Sequence, residues 1–402
     1  MNRQSITDYM KLRNTRCAEN FEKLKESDAP AAQKVPKNRY LALDSTAIST
    51  YSMTINDAAY GHAKQNPELE QVNFTLGVDY LSGDVCYAYE SEGSINDKAL
   101  YPHLLLDMKN NGYELKDTVL VTDRGYESIY NIQRLLNVDV NYVCGVPLSE
   151  NSVKALFNKH KASLDDPAFL NGNLEVSART VEENWHRQTE YGELALKASL
   201  HLYKYPLLAA GQVISLQKQI ENVLLKKDQG LTVHSEDWNA VKKYICENKD
   251  KQWVKNHNQL SEYLTTAGCF AIRSNCINDP FECLSIYKQR QIVETAFRQM
   301  KVAIGANRFR CTQTSYIGKL LVFVLAQSIR MKMYFTVKAN QQLKTIKLPG
   351  DSLDKAQAIL KGLMAVRPPS KAIWTGRPIS KKARDVLELF GIEKNFPRNL
   401  KL

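Results

Sequence analysis

Three acidic residues stand where a carboxylate needs a reason. Asp44 follows the apolar run of "RYLALDSTAI" and Asp123 follows that of "DTVLVTDRGY". A charged carboxylate at the end of a buried strand costs free energy unless it is paired or binds a cation. One such aspartate is commonly a turn or cap residue; two are harder to dismiss. The third acid, Glu294, lies in "YKQRQIVETAFRQMK", residues 287 to 301. Wound as a helix, this stretch places Tyr287, Arg290, Glu294 and Lys301 within roughly 60° of one another. Val293, Ala296 and Met300 fall on the opposite side and read as the buried stripe. The bland alternative is an amphipathic helix with an Arg290–Glu294 surface pair at i, i+4. Three carboxylates from two strands and a helix would suit a pair of Mg²⁺ ions about 3.5–4 Å apart, the arrangement that phosphodiester chemistry uses in many enzymes.

The elements that must position these acids follow from hydrophobic period and turn residues. Residues 5 to 26 read as a helix, and "DAPAAQKVPKN" as a linker. The run around Asp44 reads as a buried strand. "QVNFTLGVDY" and "DVCYAYES" alternate in period two and read as a hairpin. "NDKALYPHLLLDMKNNGY" has an Asn or Asp cap and a closing glycine, the marks of a helix. The strand ending at Asp123, a helix in "ESIYNIQRLLN" and a strand in "VNYVCGVPL" follow. The order is strand, strand, strand, helix, strand, helix, strand. Residues 151 to 265 are more polar, hold three of the four tryptophans, and read as an insertion. Beyond it come a short strand, "GCFAIRSN", the helix with Glu294, and a long helix in "TSYIGKLLVFVLAQSIRMKMYF".

Composition narrows the partner. The net charge is +11, but it is uneven. Residues 301 to 402 hold 20 Lys+Arg against 5 Asp+Glu, or +15, behind a body of −4. Such a block favours a polyanion. The apolar run at 320 to 326 is too short for a membrane span and reads as core. The N-terminus has no apolar signal stretch. Eight cysteines with no CxxC pair point to buried, reduced thiols in a cytoplasmic protein.

The spacing Tyr287, Arg290, Glu294, Lys301, together with "LALDST" and "VTDRGY", resembles the DDE transposases of bacterial insertion sequences, in the group with a Tyr-x2-Arg-x3-Glu-x6-Lys signature. "YGHAKQNPELEQVNFTLGVDY" resembles the segment that follows their first aspartate, and the likeness runs from about residue 38 to 335. It implies an α/β, RNase H-like catalytic core, a mixed central sheet flanked by helices, interrupted by an insertion domain and followed by a basic helical C-terminal region. The expected divisions are an N-terminal helix and linker (1–37), core (38–150), insertion (151–265), core with the catalytic helix (266–335) and basic region (336–402). It implies that Asp44, Asp123 and Glu294 are catalytic and hold two Mg²⁺ ions, with Mn²⁺ able to substitute. Nicking of transposon-end DNA and attack of its 3′-OH on target DNA would follow, in a homodimer assembled on DNA in the bacterial cytoplasm with the nucleoid. Tyr287, Arg290 and Lys301 would hold the end DNA.

Further DNA contacts are expected from Arg298, on the same helical face, and from Arg308 and Arg310. Trp238 and Trp253 read as core residues more than as platforms for a flipped base. Only 43 residues precede Asp44, with no convincing helix-turn-helix; the readings are a truncated chain, one short by design, or end binding by the basic C-terminal block. The rivals are a non-mobile RNase H-like, Mg²⁺-dependent nuclease and a repurposed DNA-binding protein; the three intact acids argue against the second.

The charge asymmetry makes the first prediction. DNA affinity should fall steeply with salt, with a log–log slope of about −0.9 per neutralised phosphate. Deleting residues 340 to 402 should weaken binding across all sequences and flatten that slope, read by fluorescence anisotropy at several salt concentrations.

Overall fold

The computed structural model describes residues 3–26, 37–61, 66–189, 192–343, 346–366, 374–376, 378–392 and 399–400. The chain forms two compact units, residues 1–118 with 289–402 and residues 119–288. Each is α/β, and the linker read at 28–38 lies almost wholly outside the described residues.

The first unit opens with α1 (Arg3–Glu26), then β1 (Arg39–Thr50), β2 (Gln71–Asp79), β3 (Val85–Glu92) and α2 (Asp97–Asn110). The second holds β4 (Thr118–Thr122), α3 (Ile129–Leu136), β5 (Asn141–Val146), α4 (Asn151–His160), β6 (Leu170–Asn171), β7 (Val176–Thr189) and β8 (Gly192–Lys204). It continues with α5 (Pro206–Asp228), α6 (Ser235–Val241), β9 (Ile245–Glu247), β10 (Trp253–Lys255), α7 (His257–Thr266), β11 (Cys269–Ser274) and α8 (Pro280–Lys288). The chain then returns to the first unit with α9 (Gln291–Val302), β12 (Arg308–Phe309), α10 (Gln313–Leu343), α11 (Leu353–Leu360) and α12 (Lys381–Leu389). Three strands of two or three residues pair among themselves near the C-terminus.

In the first unit β1, β2 and β3 form an antiparallel meander, and β12 adds in parallel to the far end of β1. The hairpin turn carries Gly83 at φ 68°, a conformation that suits glycine. Leu41, Ala42 and Leu43 are all buried, as expected of a strand covered on both faces. Helix α1 packs on β3 with Ile6, Met10, Cys17 and Phe21, one residue per turn or two. Helix α2 is capped by Asn96, whose side chain accepts from the Ala99 N–H. The buried Arg39 fastens the start of β1 to the end of β2 through Asp79, 3.1 Å away.

The apolar run at 320 to 326 is part of the long helix expected there, α10, which extends over 31 residues. By length and composition α10 could cross a bilayer, the one such helix among the described residues. It packs instead on α1, β3, α9 and α12 and buries Tyr316, Leu320, Val324 and Met331 at helical spacing.

In the second unit β4 and β5 are parallel, and β11 joins β5 antiparallel. β8 then pairs with both β11 and β7. The segment 151–265 thus contributes two long strands to this sheet as well as a helical cluster of its own. In that cluster Leu216, Ile220, Val223, Val241, Ile245 and Leu260 pack together. Trp238 and Trp253 lie against it edge to face, centroids 5.2 Å apart, with the Lys227 ammonium 4.3 and 4.4 Å from their rings. Both are half-buried and flank this cluster.

One buried cation ties this unit together. Arg273 on β11 is fully buried and donates to Glu183 of β7 at 2.7 and 2.9 Å and to Glu127 at 2.8 Å; Glu150 is 3.4 Å away. Glu127 is four residues past Asp123, so Arg273 on β11 holds the turn that follows Asp123. Replacing Arg273 with Met would leave two buried carboxylates without their cation. Arg273→Met should destabilise the protein by about 3–5 kcal/mol, seen as a lower urea midpoint.

Candidate active site

Strand β1 carries Asp44 at its middle, not its end. The ladder continues through Asp44–Leu76, Ser45–Thr75 and Thr46–Phe74 to Ser49–Gln71. The polar residues after Asp44 stay in the sheet because their backbone groups pair and because the Ser45 and Thr75 hydroxyls meet at 2.8 Å. Asp123 does follow the last residue of its strand, β4. The expected single helix over 287–301 is two helices, α8 and α9, with Gln289 and Arg290 in a turn between them. Across that turn the N–H groups of Ile292 and Val293 bond back three residues, to Gln289 and Arg290, tighter than an α-helix. Tyr287 and Arg290 thus belong to different helices and different units.

In the first unit α9 buries Val293, Ala296, Phe297 and Met300 and turns Glu294 outward. Arg290 reaches from the start of α9 to two carboxylates. Its Nη2 is 2.8 Å from Glu294 Oε1 and its Nη1 is 3.4 Å from Asp44 Oδ2. Arg290 and Asp44 are largely buried, with side chains 15% and 19% exposed, whereas Glu294 is 51% exposed. Two acids 250 residues apart in sequence are therefore neighbours of one guanidinium. Lys301, the penultimate residue of α9, donates to the Ala47 carbonyl of β1 at 2.8 Å. Desolvation lowers its pKa. This bond pins the helix with Glu294 to the strand with Asp44. Arg298 is exposed.

At the far end of β1, Arg308 forks between the Tyr51 hydroxyl at 2.6 Å and Asn66 Oδ1 at 2.7 Å. Arg308 and Arg310 both lie over the Tyr51 ring, 5.3 and 5.6 Å from its centroid. The parallel pairing of Ser49 with Arg308 and Thr50 with Phe309 sets this cluster. Tyr51 carried no signal in the sequence, because its partners lie more than 250 residues away.

In the second unit Asp123 Oδ1 accepts from the Arg124 N–H at 2.8 Å and from the Tyr287 hydroxyl at 3.1 Å. The turn closes with Tyr126 N–H on the Asp123 carbonyl, and Asn131 of α3 grips the Tyr126 carbonyl. Tyr287 comes this close because residue 145 on β5 is glycine. A Cβ there would sit 2.5 Å from the Tyr287 oxygen. A glycine inside a buried strand is the signal that marks such an approach.

Among the described residues no three His, Cys, Asp or Glu side chains gather as a metal-binding group. Asp44 and Glu294 nevertheless share one positive neighbour, and carboxylate oxygens are the donors that Mg²⁺ prefers. The donor chemistry of this pair fits a hard divalent cation.

The protein family described as the transposase DDE domain matches residues 36–326. No curated protein matches the chain. Among solved structures, the cryo-EM structure of the piggyBac transposase synaptic complex with hairpin DNA is similar at 10% identity and a TM-score of 0.38. The likeness covers 88% of this chain and 52% of that one, so the chain accounts for about half of its length.

The Gly145–Tyr287 approach is testable by a double-mutant cycle. Gly145→Ala should cost about 1–3 kcal/mol, as overpacking does. Adding Tyr287→Phe removes the oxygen that the new methyl meets, so the double variant should recover part of that loss. Additive urea-denaturation values would show that the tyrosine oxygen is not what the glycine accommodates.

Proposed function

Because the chain belongs to the transposase DDE-domain family, we propose that it is a DNA transposase that nicks element-end DNA and joins the 3′-OH to target DNA. The observation that carries this reading is the pairing of Asp44 and Glu294 with one guanidinium inside the matched segment. Asp44, Asp123 and Glu294 are assigned as the catalytic acids. Mg²⁺, or Mn²⁺ in its place, would be held by these carboxylates and would supply activation of the attacking oxygen and charge stabilisation at the leaving one.

The protein's own residues do the positioning. Tyr287 fixes the rotamer of Asp123 by donating to Oδ1. Lys301 acts through the backbone of β1, holding α9 in register with Asp44. Arg290 offers a planar fork suited to a phosphate, which a lysine could not copy. Arg298, Arg308 and Arg310 are the candidate phosphate contacts along the DNA. End DNA and target DNA are the partners, in a homodimer assembled on DNA, within the bacterial cytoplasm and associated with the nucleoid.

A strand-transfer assay with a labelled 3′-OH duplex tests this reading. Asp44→Asn and Glu294→Gln should each abolish Mg²⁺-dependent nicking and joining while DNA affinity changes little. Joining lost with nicking retained in the unmutated protein would favour the non-mobile nuclease. Neither reaction, with DNA binding intact, would favour the repurposed DNA-binding protein.

A further inference from the structure

Arg290 stands between two acids that the proposed function assigns to a cation. Its two terminal nitrogens go to different carboxylates, Nη1 toward Asp44 and Nη2 to Glu294. The guanidinium therefore occupies the electrostatic position that a shared ion would take. A divalent ion and an arginine cannot both sit close to the same carboxylate oxygens, since like charges at a few ångströms repel strongly where water is scarce. The arginine also cannot ligate the ion, because every nitrogen of the guanidinium is a donor or is delocalised.

We propose that Arg290 is an internal surrogate for the divalent cation. In the metal-free protein it keeps Asp44 and Glu294 from repelling each other; when the ion binds, it must give up at least one of them. This rests on the assignment of those acids to the metal. The contacts suit a partly reversible hold. The one to Asp44 is long, at 3.4 Å, but largely buried, whereas the one to Glu294 involves a half-exposed carboxylate and is the easier to give up. Of the two further cations on α9, Arg298 is exposed and Lys301 is bound to the Ala47 carbonyl, so Lys301 cannot take over.

Displacement links the ion to DNA. An arginine freed from Asp44 or Glu294 can meet a phosphate, and an arginine drawn to a phosphate frees the carboxylates. Ion and DNA should therefore each tighten the binding of the other, by the same factor. Bare protein should hold the ion weakly, which keeps the reactive site unloaded until DNA arrives.

The test uses Mn²⁺ alone, titrated into the full chain without DNA, with free Mn²⁺ read by its electron paramagnetic resonance signal. Arg290→Gln should bind Mn²⁺ at least about tenfold more tightly than the unmutated protein, because a competing positive charge is gone. Arg290→Lys keeps the charge but cannot span both carboxylates, so it should fall between the two. Asp44→Asn should remove the binding in every background. A simple structural role for Arg290 predicts the opposite sign, weaker Mn²⁺ binding in both variants. Equal or weaker binding in Arg290→Gln, with binding still dependent on Asp44, overturns the surrogate role and leaves the metal assignment standing. Absence of Asp44-dependent Mn²⁺ binding in all variants overturns the metal assignment itself. Urea unfolding establishes that each variant is folded; should Arg290→Gln not fold, Arg290→Lys decides, and binding no tighter than in the unmutated protein overturns the proposal.

Discussion

Carboxylates of like charge do not gather in a protein interior without a cation, and Arg290 and Arg273 each meet that constraint. In one unit Arg290 draws Asp44 and Glu294 to itself. In the other, Arg273 draws Glu127 and Glu183, with Glu150 nearby. The two differ in burial, and burial sets what each can do. Arg273 is wholly enclosed, so its pairs are permanent parts of the core, and removing one partner leaves an uncompensated charge. Arg290 has an exposed partner, which makes its hold exchangeable. One arginine builds the scaffold and the other sits between two of the candidate acids.

The scaffold reaches the candidate site by short mechanical links. Glu127 connects the Arg273 cluster to the turn that begins at Asp123. Lys301 connects α9 to β1 through a backbone carbonyl, a contact that does not depend on the identity of residue 47. The Tyr287 hydroxyl fixes Asp123, and the missing side chain at Gly145 makes room for it. Each link orients a carboxylate through a neighbour that is itself held.

Much of this was legible in the sequence, and the parts that were not share a cause. Strand and helix order in the first 146 residues followed from local pattern: buried runs at 39–43 and 119–122, alternation in β2 and β3, and the Asn96 cap. The buried stripe of α9 followed from its period. The continuation of β1 past Asp44 did not, because it depends on pairing with β2 rather than on polarity. The break at Gln289 and Arg290 did not, since neither residue is a helix breaker and periodicity carries across a tight turn. The pairing of β8 with β11 was hidden by the polar character of 151–265, where long strands are half exposed. The role of Arg273 carried no local signal, because its three acids lie 90 to 146 residues away.

The first unit is assembled from two separated stretches of chain, residues 1–118 and 289–402. During synthesis this imposes an order of events. The sheet of β1, β2 and β3 emerges early, but α9 and α10, which cover it, come only after the 170 residues from Val119 to Lys288. At about 5–20 residues per second, that interval lasts roughly 10–30 s. The intervening unit is continuous and can fold during the wait, whereas the incomplete sheet keeps apolar surface open to solvent. A nascent chain is thus vulnerable to aggregation and devoid of Glu294 until the whole intervening unit has been made. The role proposed for Glu294 can begin only once that later stretch of chain has emerged.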